Sequence, residues 1–387
     1  MVTATPRARL LPLYAAGFVT AFGAHSIAAG LGRYLAAEHA DLLTLGVLLA
    51  VYDGAEVLLK PVFGTLADRI GPRPVLLGGL IAFAIASVAF VPTADPAFVG
   101  VARLGQGAAA AAFSPAAGAM VARLTPDIGH GRAFGGYGAW KGLGYALGPV
   151  LGGVLVVFGG YRLLFATLAV LAAAVAVWAA LAVPAVPALP RARETVLGLI
   201  RRLGSGNFLR PTTALAGGTA ALAVGVGFLP VVGAGHGLGP LATGAAVSVL
   251  AASAALVQPR AGRARDTGRL SDRTGMTAGL MVTATGIVLA TMLPGLIGIL
   301  AAAILIGTGT GLLTPLGFAH LAATTPPERL GQTMGAAEIG RELGDAGGPL
   351  LVGAVATAAT VDLGLLTLAG LIAAIAVAVS LSFHRDR

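Results

Sequence analysis

Long stretches without a single charged residue recur along this 387-residue chain. Two examples, Val75–Val91 and Leu363–Phe383, approach or exceed the roughly 20 residues that an α-helix needs to cross a bilayer. The stretches do not alternate between apolar and polar residues, as the strands of a membrane β-barrel do. Because only helices and closed barrels satisfy their backbone groups in lipid, the sequence predicts an all-α membrane protein.

The composition agrees with lipid as the solvent for most of the surface. Charged residues make up only 11% of the chain, whereas about 25% is usual for a soluble globular protein. The net charge of +9 is not gathered on one soluble face, because the arginines lie in short gaps between apolar stretches, so no nucleic-acid partner is expected. The chain has no cysteine, which excludes disulfides, thiolate metal sites and cysteine nucleophiles.

The apolar stretches divide into about twelve predicted helices. The longest polar stretch, Pro184–Arg210, separates the first six from the last six. We therefore predict two pseudo-symmetric six-helix bundles, residues 1–183 and 211–387, joined by a linker over residues 184–210. Arg7 and Arg9 precede the first apolar stretch as in a signal peptide, but that stretch continues to Leu31, so a retained helix is expected. The predicted helices are 11–31, 43–63, 74–92, 96–121, 132–157, 161–183, 211–232, 239–258, 276–293, 296–321, 332–357 and 361–383.

The two halves carry the same short motifs at nearly constant spacing. Pro61-x-x-Gly64-x-x-x-Asp68 recurs 198 residues later as Pro259-x-x-Gly262-x-x-x-Asp266. Two further motif pairs are separated by 200 residues: Ser114-Pro115 with Thr314-Pro315, and Gly144-x-x-x-Gly148-Pro149 with Gly344-x-x-x-Gly348-Pro349. Such an internal repeat within a membrane chain is typical of secondary transporters.

The basic residues predict the orientation in the membrane. Gaps on one side hold nearly all of the arginines, whereas gaps on the other side hold only Arg33 and Arg162. Both termini and the linker are therefore expected in the cytoplasm of a bacterial inner membrane. The two lysines, Lys60 and Lys141, cannot complete a phosphate-binding loop, since proline and glycine follow them, so an ATP-driven pump is excluded.

Three motifs resemble signatures of the major facilitator superfamily, and the likeness extends over essentially the whole chain. The one that lies between helices two and three in that family is Gly64-x-x-x-Asp68-Arg69-x-Gly71-x-Arg73. The one in helix four is Arg103-x-x-Gln106-Gly107. The one in helix five, associated in the family with efflux antiporters, is Gly144-x-x-x-Gly148-Pro149-x-x-Gly152-Gly153. The resemblance implies the major facilitator fold, transport of a small-molecule substrate and alternating access between two bundles.

The resemblance also assigns roles to the first and third motifs. Gly64, Asp68, Arg69, Gly71 and Arg73 would form a cytoplasmic latch that holds the halves together, with glycines in tight turns and the aspartate against a helix N-terminus. The alternative is a basic loop that only sets topology, but the repetition of Asp68 as Asp266 favours the latch. The third motif would pack closely against another helix, and a further role in antiport is left open.

Charged residues inside apolar helices are the sharper candidates for function, since each costs at least ~2.5–3.5 kcal/mol at the centre of a membrane helix. Helices two and eleven pack together in the family, so we predict that Asp53 and Glu56 face Arg341 and that Lys60 faces Glu338 or Glu342. The network is either structural or proton-coupling, with Asp53 and Glu56 the favoured proton acceptors. Arg103 either snorkels to the interface or takes part in coupling. The full set is Asp53, Glu56, Lys60, Arg103, Lys141, Glu338, Arg341, Glu342 and Asp345.

These residues, together with the resemblance to efflux antiporters of the family, predict a monomeric transporter that exports small amphipathic organic molecules in exchange for protons. His25, Gln106 and Trp140 are candidates for the cavity wall, although packing is the alternative for each. The histidines show no metal-ligand spacing, so neither a metal nor a cofactor is expected. Proton-coupled uptake of a nutrient or metabolite and a non-transporting membrane protein remain as alternatives. A membrane hydrolase is not supported, since Gly-x-Ser-x-Gly and His-Glu-x-x-His are missing.

Overall fold

A computed structural model describes residues 6–37, 42–89, 96–125, 129–190 and 196–382 of the chain. In these residues every regular element is helical, which confirms the predicted all-α fold class. The elements are α1 (Pro6–Ala37), α2 (Leu42–Ile70), α3 (Pro72–Ala89), α4 (Pro96–Leu124), α5 (His130–Ala182), α6 (Val196–Leu203), α7 (Gly206–Gly235), α8 (Pro240–Asp266), α9 (Asp272–Met292), α10 (Gly295–Thr324), a 3₁₀ turn (Pro327–Arg329), α11 (Leu330–Ala358) and α12 (Val361–Ser382).

Eight of the helices in the described part of the chain are long and apolar enough to cross a membrane. The long helix α5 is one of them, and it contains two of the predicted helices, 132–157 and 161–183. Gly159 (φ −152°, ψ 18°) and Gly160 (φ 66°, ψ −170°) separate its two segments by a kink. Glycine adopts the positive φ of residue 160 without the steric penalty of a Cβ atom, so the chain changes direction there.

Several helix ends differ from the sequence prediction. α2 continues beyond residue 63 to Ile70, so Gly64 lies inside a helix and the prediction of a tight turn at this glycine is wrong. The turn is at Gly71 instead, where φ is +93°. The predicted linker also contains regular structure, since α6 and the first residues of α7 fall within residues 184–210.

Residue contacts divide the chain into two compact units that interleave along the sequence. The first unit comprises Met1–Pro126, Trp140–Arg191 and Thr325–Glu338, and the second comprises Asp127–Ala139, Ala192–Thr324 and Ile339–Arg387. The start of α11 therefore belongs to the first unit, and the start of α5 belongs to the second. The predicted boundaries at residues 183 and 211 stay a prediction.

The second unit has an extensive apolar core between α7, α8, α9, α10 and α12. Leu250, Leu280, Ile306 and Ile372 are buried at its centre. In the first unit, a smaller cluster around Phe165 and Leu168 packs α5 against α1. Each unit thus has an apolar cluster of its own.

Candidate functional site

Four buried charged residues of the first unit form one connected group, which we call the charge cluster. The Nζ atom of Lys60 lies 2.7 Å from Oε1 of Glu56 and 3.7 Å from Oε2 of Glu338. The Nζ atom of Lys141 lies 3.4 Å from that same Glu338 oxygen. The exposed fractions of Glu56, Lys60, Lys141 and Glu338 are 7%, 0%, 6% and 3%. Glu338 is thus shared by two lysines from two other helices.

Glycines on α11 explain how α2 brings Lys60 to Glu338. A Cβ atom at Gly335 would lie 2.7 Å from the backbone oxygen of Lys60, and one at Gly331 would overlap the backbone oxygen of Gly64. The two helices therefore cross with backbone against backbone, as small residues permit. Glu338 follows Gly335 by three residues and so lies on the same face of α11, next to Lys60.

The structure brings together part of the predicted network. The predicted pair of Lys60 with Glu338 is present, and Lys141 joins it. Asp53 lies on α2 one turn before Glu56 and is exposed. The predicted pairing of Asp53 and Glu56 with Arg341 joins residues of different units and stays a prediction. The remaining charges of α11, Glu342 and Asp345, are half-buried and exposed, respectively.

Arg341 has its own surroundings in the second unit. Its guanidinium carbon lies 5.8 Å from the ring centroid of Phe318, and the hydroxyl of Thr219 donates to its backbone oxygen at 2.9 Å. Phe318 in turn stacks on Phe134 with ring centroids 5.7 Å apart. Arg341 is thus held against an aromatic pair from α10 and α5.

The charge cluster is electrically balanced, with two ammonium and two carboxylate groups. A proton on either carboxylate removes one negative charge and leaves the lysines under-compensated. Removing one partner of a buried ion pair costs several kcal/mol, because the remaining charge stays away from water. Glu338 lies between two lysines, whereas Glu56 lies beside Lys60 on the same helix. A proton on Glu56 removes the negative charge 2.7 Å from the Lys60 ammonium group.

Arg103 forms a second buried polar group beside α2. Its guanidinium carbon lies 4.2 Å from the ring centroid of Tyr52, and both side chains are 2% exposed. Its Nε and Nη1 atoms have no hydrogen-bond partner among the described residues. The side chain thus packs on an aromatic ring rather than extending to a surface. Sequence reasoning missed Tyr52, although its place directly before Asp53 was a usable signal.

The latch aspartate caps a helix. Asp68 accepts hydrogen bonds from the backbone N–H groups of Gly331 at 2.7 Å and Gln332 at 2.8 Å, in the first turn of α11. These N–H groups have no acceptor within their own helix, and a carboxylate also suits the positive end of the helix dipole. Arg123, at the end of α4, lies 4.0 Å from Asp68 and donates to the backbone oxygen of Pro327 at 2.9 Å.

The second copy of the motif makes the same contact in the second unit. Asp266 accepts hydrogen bonds from the N–H groups of Gly131 at 2.8 Å and Arg132 at 2.7 Å, in the first turn of α5. A Cβ atom at Gly262 would overlap the backbone of Gly131, as one at Gly64 would overlap that of Gly331. The repeat is therefore a repeated helix crossing with an aspartate cap.

The other latch residues have lesser contacts. Arg69 is exposed, and Arg73 donates to the backbone oxygen of Ala180 in α5. Sequence reasoning missed the glycines on the opposite helices, although a signal was present. Gly-x-x-x-Gly occurs at the start of both partner helices with the 200-residue offset, at Gly131 and Gly135 and again at Gly331 and Gly335.

The glycine motif of α5 lies against α1. Cβ atoms at Gly144, Gly148 and Gly152 would lie within 3.0 Å of atoms of Phe18, His25 and Ser26, respectively. The four-residue spacing places these glycines on one face of the helix. Pro149 and Gly153 lie off this face: Pro149 is exposed, and a Cβ atom at Gly153 would meet nothing within 4 Å. The motif packs two helices closely, and its role in antiport stays a prediction.

We expect Gly152→Ala to reduce transport and Gly153→Ala to leave it unchanged. The added methyl group at residue 152 would lie 2.5 Å from Cβ of Ser26 and force α1 away, which costs typically about 1–3 kcal/mol. The neighbouring glycine of the same helix is the matched control, because its methyl group has open space. The melting temperature in detergent measures the loss of stability, and substrate uptake by membrane vesicles measures the loss of transport. Equal behaviour of the two variants would contradict the assignment.

The three cavity candidates have different environments. Nδ1 of His25 lies 3.0 Å from the backbone oxygen of Ala21, and its ring lies edge-on to Tyr145 at 4.2 Å. Gln106 is fully buried and donates to the hydroxyl of Ser87 at 3.0 Å. Trp140 is 36% exposed. Their contact with a substrate stays a prediction.

Comparison with known proteins places the chain in a family. The family model described as Major Facilitator Superfamily matches residues 13–267 and 227–387. Among curated proteins, the tetracycline resistance protein, class C, of Escherichia coli is 39% identical over 121 residues, which are 30% of this chain and 30% of that protein. The puromycin resistance protein pur8 of Streptomyces alboniger is 39% identical over 100 residues, 26% of this chain and 20% of that protein. The matches thus span less than a third of these relatives.

Solved structures share the fold over nearly the whole chain. The human organic anion transporter MFSD10 (TETRAN) has a TM-score of 0.79 at 17% identity, and the match covers 97% of this chain and 100% of that one. The Escherichia coli fucose:proton symporter FucP has a TM-score of 0.80 at 13% identity, with the same coverage. At these identities the likeness shows the fold, and it confirms the fold that the sequence motifs implied.

Proposed function

Because the chain belongs to the major facilitator superfamily, whose members are multi-pass membrane transporters, we propose that it exports small amphipathic organic molecules in exchange for protons. The observation that carries the proposal is the charge cluster, in which the buried Glu338 lies between the buried Lys60 and Lys141. Buried ionisable residues are expensive within a membrane and mark ion and substrate pathways.

Export is favoured over uptake by two features of the chain. The glycine motif from Gly144 to Gly153 is the one that resembles the signature of efflux antiporters. The curated relatives with the matching segments are named as tetracycline and puromycin resistance proteins. The asymmetric distribution of arginines supports a location in a bacterial inner membrane with both termini in the cytoplasm.

In the proposed cycle, Asp53 and Glu56 exchange protons with the aqueous phase, and Asp53 is the exposed member of the pair. Protonation of Glu56 releases its hold on Lys60, whose ammonium group also lies 3.7 Å from Glu338. This change alters the interaction between α2 and the start of α11, where the latch aspartate also binds. If the contact between α2 and α11 differs between the inward-facing and outward-facing states, a proton that changes this contact shifts the equilibrium between the two states.

Replacement of Glu56 by Gln tests the coupling step. We expect the variant to lose export driven by a pH gradient but to retain exchange of labelled for unlabelled substrate, because exchange needs no net proton movement. Tetracycline and puromycin serve as probes in proteoliposomes, with a protonophore to collapse the gradient. The control is Asp362→Asn, which changes an exposed carboxylate on α12. A Glu56→Gln protein that still follows the pH gradient would contradict the assignment.

Proton-coupled uptake is the second candidate, since the fold is shared with a fucose:proton symporter. The two directions are distinguished in energised cells that express the protein. Export predicts that the probe is depleted from the cells and that a protonophore restores its level. Uptake predicts the reverse, with accumulation that a protonophore abolishes.

A further inference from the structure

The short helix α6 (Val196–Leu203) has one apolar and one basic side. At 100° per residue, its five apolar residues fall on one arc, and Arg201 and Arg202 fall on the other with Gly198. No other helix described in the chain is so strongly amphipathic. This pattern contrasts with the neighbouring membrane helices, which are apolar all round, and it is typical of a helix that lies along a boundary.

Part of the apolar arc of α6 points away from the protein. Leu197 and Ile200 are 67% and 62% exposed, whereas Leu199 and Leu203 on the other flank of the arc are half-buried. Arg201, next to the exposed flank, is itself exposed. The surface formed by Leu197, Ile200 and Arg201, which we call the α6 surface, therefore presents two large aliphatic side chains beside a guanidinium group.

The position of α6 in the chain limits what can cover this surface. Only Gly204 and Ser205 separate α6 from α7, and the backbone closes this turn through a hydrogen bond from Gly204 N–H to the Ile200 oxygen at 2.8 Å. Two residues span at most roughly 7 Å. Because α7 is one of the helices long and apolar enough to cross a membrane, α6 must lie where α7 enters it.

We propose that the α6 surface docks on the anionic phospholipid surface of the membrane leaflet from which α7 enters. Leu197 and Ile200 insert at the boundary between headgroups and acyl chains, and Arg201 binds headgroup phosphates. Aliphatic side chains beside arginines match this layer, since long cationic side chains bury their stems and keep the charge at the headgroup. This proposal depends on the membrane location of the chain and not on its direction of transport or its coupling ion.

A single fluorescent label tests the docking directly. The chain has no cysteine, so Ile200→Cys carries the only thiol and accepts one environment-sensitive nitrobenzoxadiazole label. In nanodiscs that contain phosphatidylglycerol, we expect blue-shifted emission that lipid-borne doxyl groups quench and aqueous iodide does not. Each arginine near an anionic surface contributes roughly fivefold to such binding. Arg201→Gln should therefore shift the label toward water, while Arg269→Gln, which changes an exposed arginine after α8, should not.

Three other outcomes would overturn the proposal. Quenching by iodide in all nanodiscs would show that the α6 surface faces water. A blue shift that is the same in detergent, without doxyl quenching, would show that protein covers it. Equal doxyl quenching in phosphatidylcholine and phosphatidylglycerol nanodiscs would show that anionic headgroups have no part in the contact.

Discussion

Replacement of Glu338 by Gln should abolish proton-driven transport and also destabilise the protein strongly. The carboxylate is shared by Lys60 and Lys141 at 3.7 and 3.4 Å, so the neutral amide leaves both ammonium groups with less compensation. Removing one partner of a buried ion pair costs about 3–5 kcal/mol. We expect the free energy of unfolding to fall by about that amount, as measured by denaturant titration in detergent or by a clear drop in melting temperature.

A second substitution separates the structural from the functional consequence. Adding Lys141→Met to the Glu338→Gln protein removes the ammonium group that the amide cannot neutralise, so much of the lost stability should return. Replacing a whole buried ion pair with apolar side chains is often neutral or stabilising, in contrast to removing one partner. Transport driven by a pH gradient should stay absent in the double variant. Restored stability together with restored coupling would contradict a role for Glu338 in the proton step.

The pair of Lys60 with Glu338 has no equivalent at the second copy of this helix crossing. α5 and α11 are related by an offset of 200 residues, so Gly138 is the residue equivalent to Glu338. α2 and α8 are related by an offset of 198 residues, so Gln258 is the residue equivalent to Lys60. In the second unit, Gln258 lies against Gly138. A Cβ atom added to Gly138 would overlap the side-chain oxygen of Gln258. The same helix crossing therefore occurs twice, between α2 and α11 and between α8 and α5, but only the first pairs an acid with a lysine there.

The sequence predicts the helices and one contact of the charge cluster, but not the other. The apolar stretches predict the helices because length and charge decide whether a segment is stable in lipid. Charge spacing on α2 and α11 predicts that Lys60 meets Glu338, given that these helices pack together. The contact of Lys141 with Glu338 could not be predicted in this way, since it depends on how closely α5 and α11 approach, and glycine pairs on different helices set that distance.

At Gly64 the sequence predicts a turn that the structure does not have. Its motif resembles a turn, because glycine, aspartate and arginine are common in turns. The helix continues through it instead, since the start of α11 packs on Gly64 and supplies the N–H groups that Asp68 accepts from. A contact with residues more than 260 positions away thus overrides the local preference.

Gly64→Ala should open this crossing, whereas Gly54→Ala on the same helix should not. The methyl group at residue 64 would overlap the backbone oxygen of Gly331, which cannot move without lifting α11 from α2 and lengthening the hydrogen bonds to Asp68. Hydrogen bonds to a charged group contribute roughly 1.5–3 kcal/mol each, so weakening two of them shifts the latch substantially toward its open state. At Gly54 a Cβ atom would meet nothing within 4 Å, and alanine there should be neutral or slightly stabilising.

Accessibility of a single thiol reports the opening. Thr333 is 1% exposed in the first turn of α11, and the chain has no other cysteine, so Thr333→Cys should react slowly with a maleimide in the parent and in Gly54→Ala. In Gly64→Ala it should react much faster, and export of the probe should fall. Because the second repeat keeps the same geometry, Gly262→Ala should disturb the crossing of α8 with the start of α5 in the same way. Unchanged labelling in Gly64→Ala would mean that the backbone contact with Gly331 does not hold the latch closed, and the role of the motif would then rest on Asp68 alone.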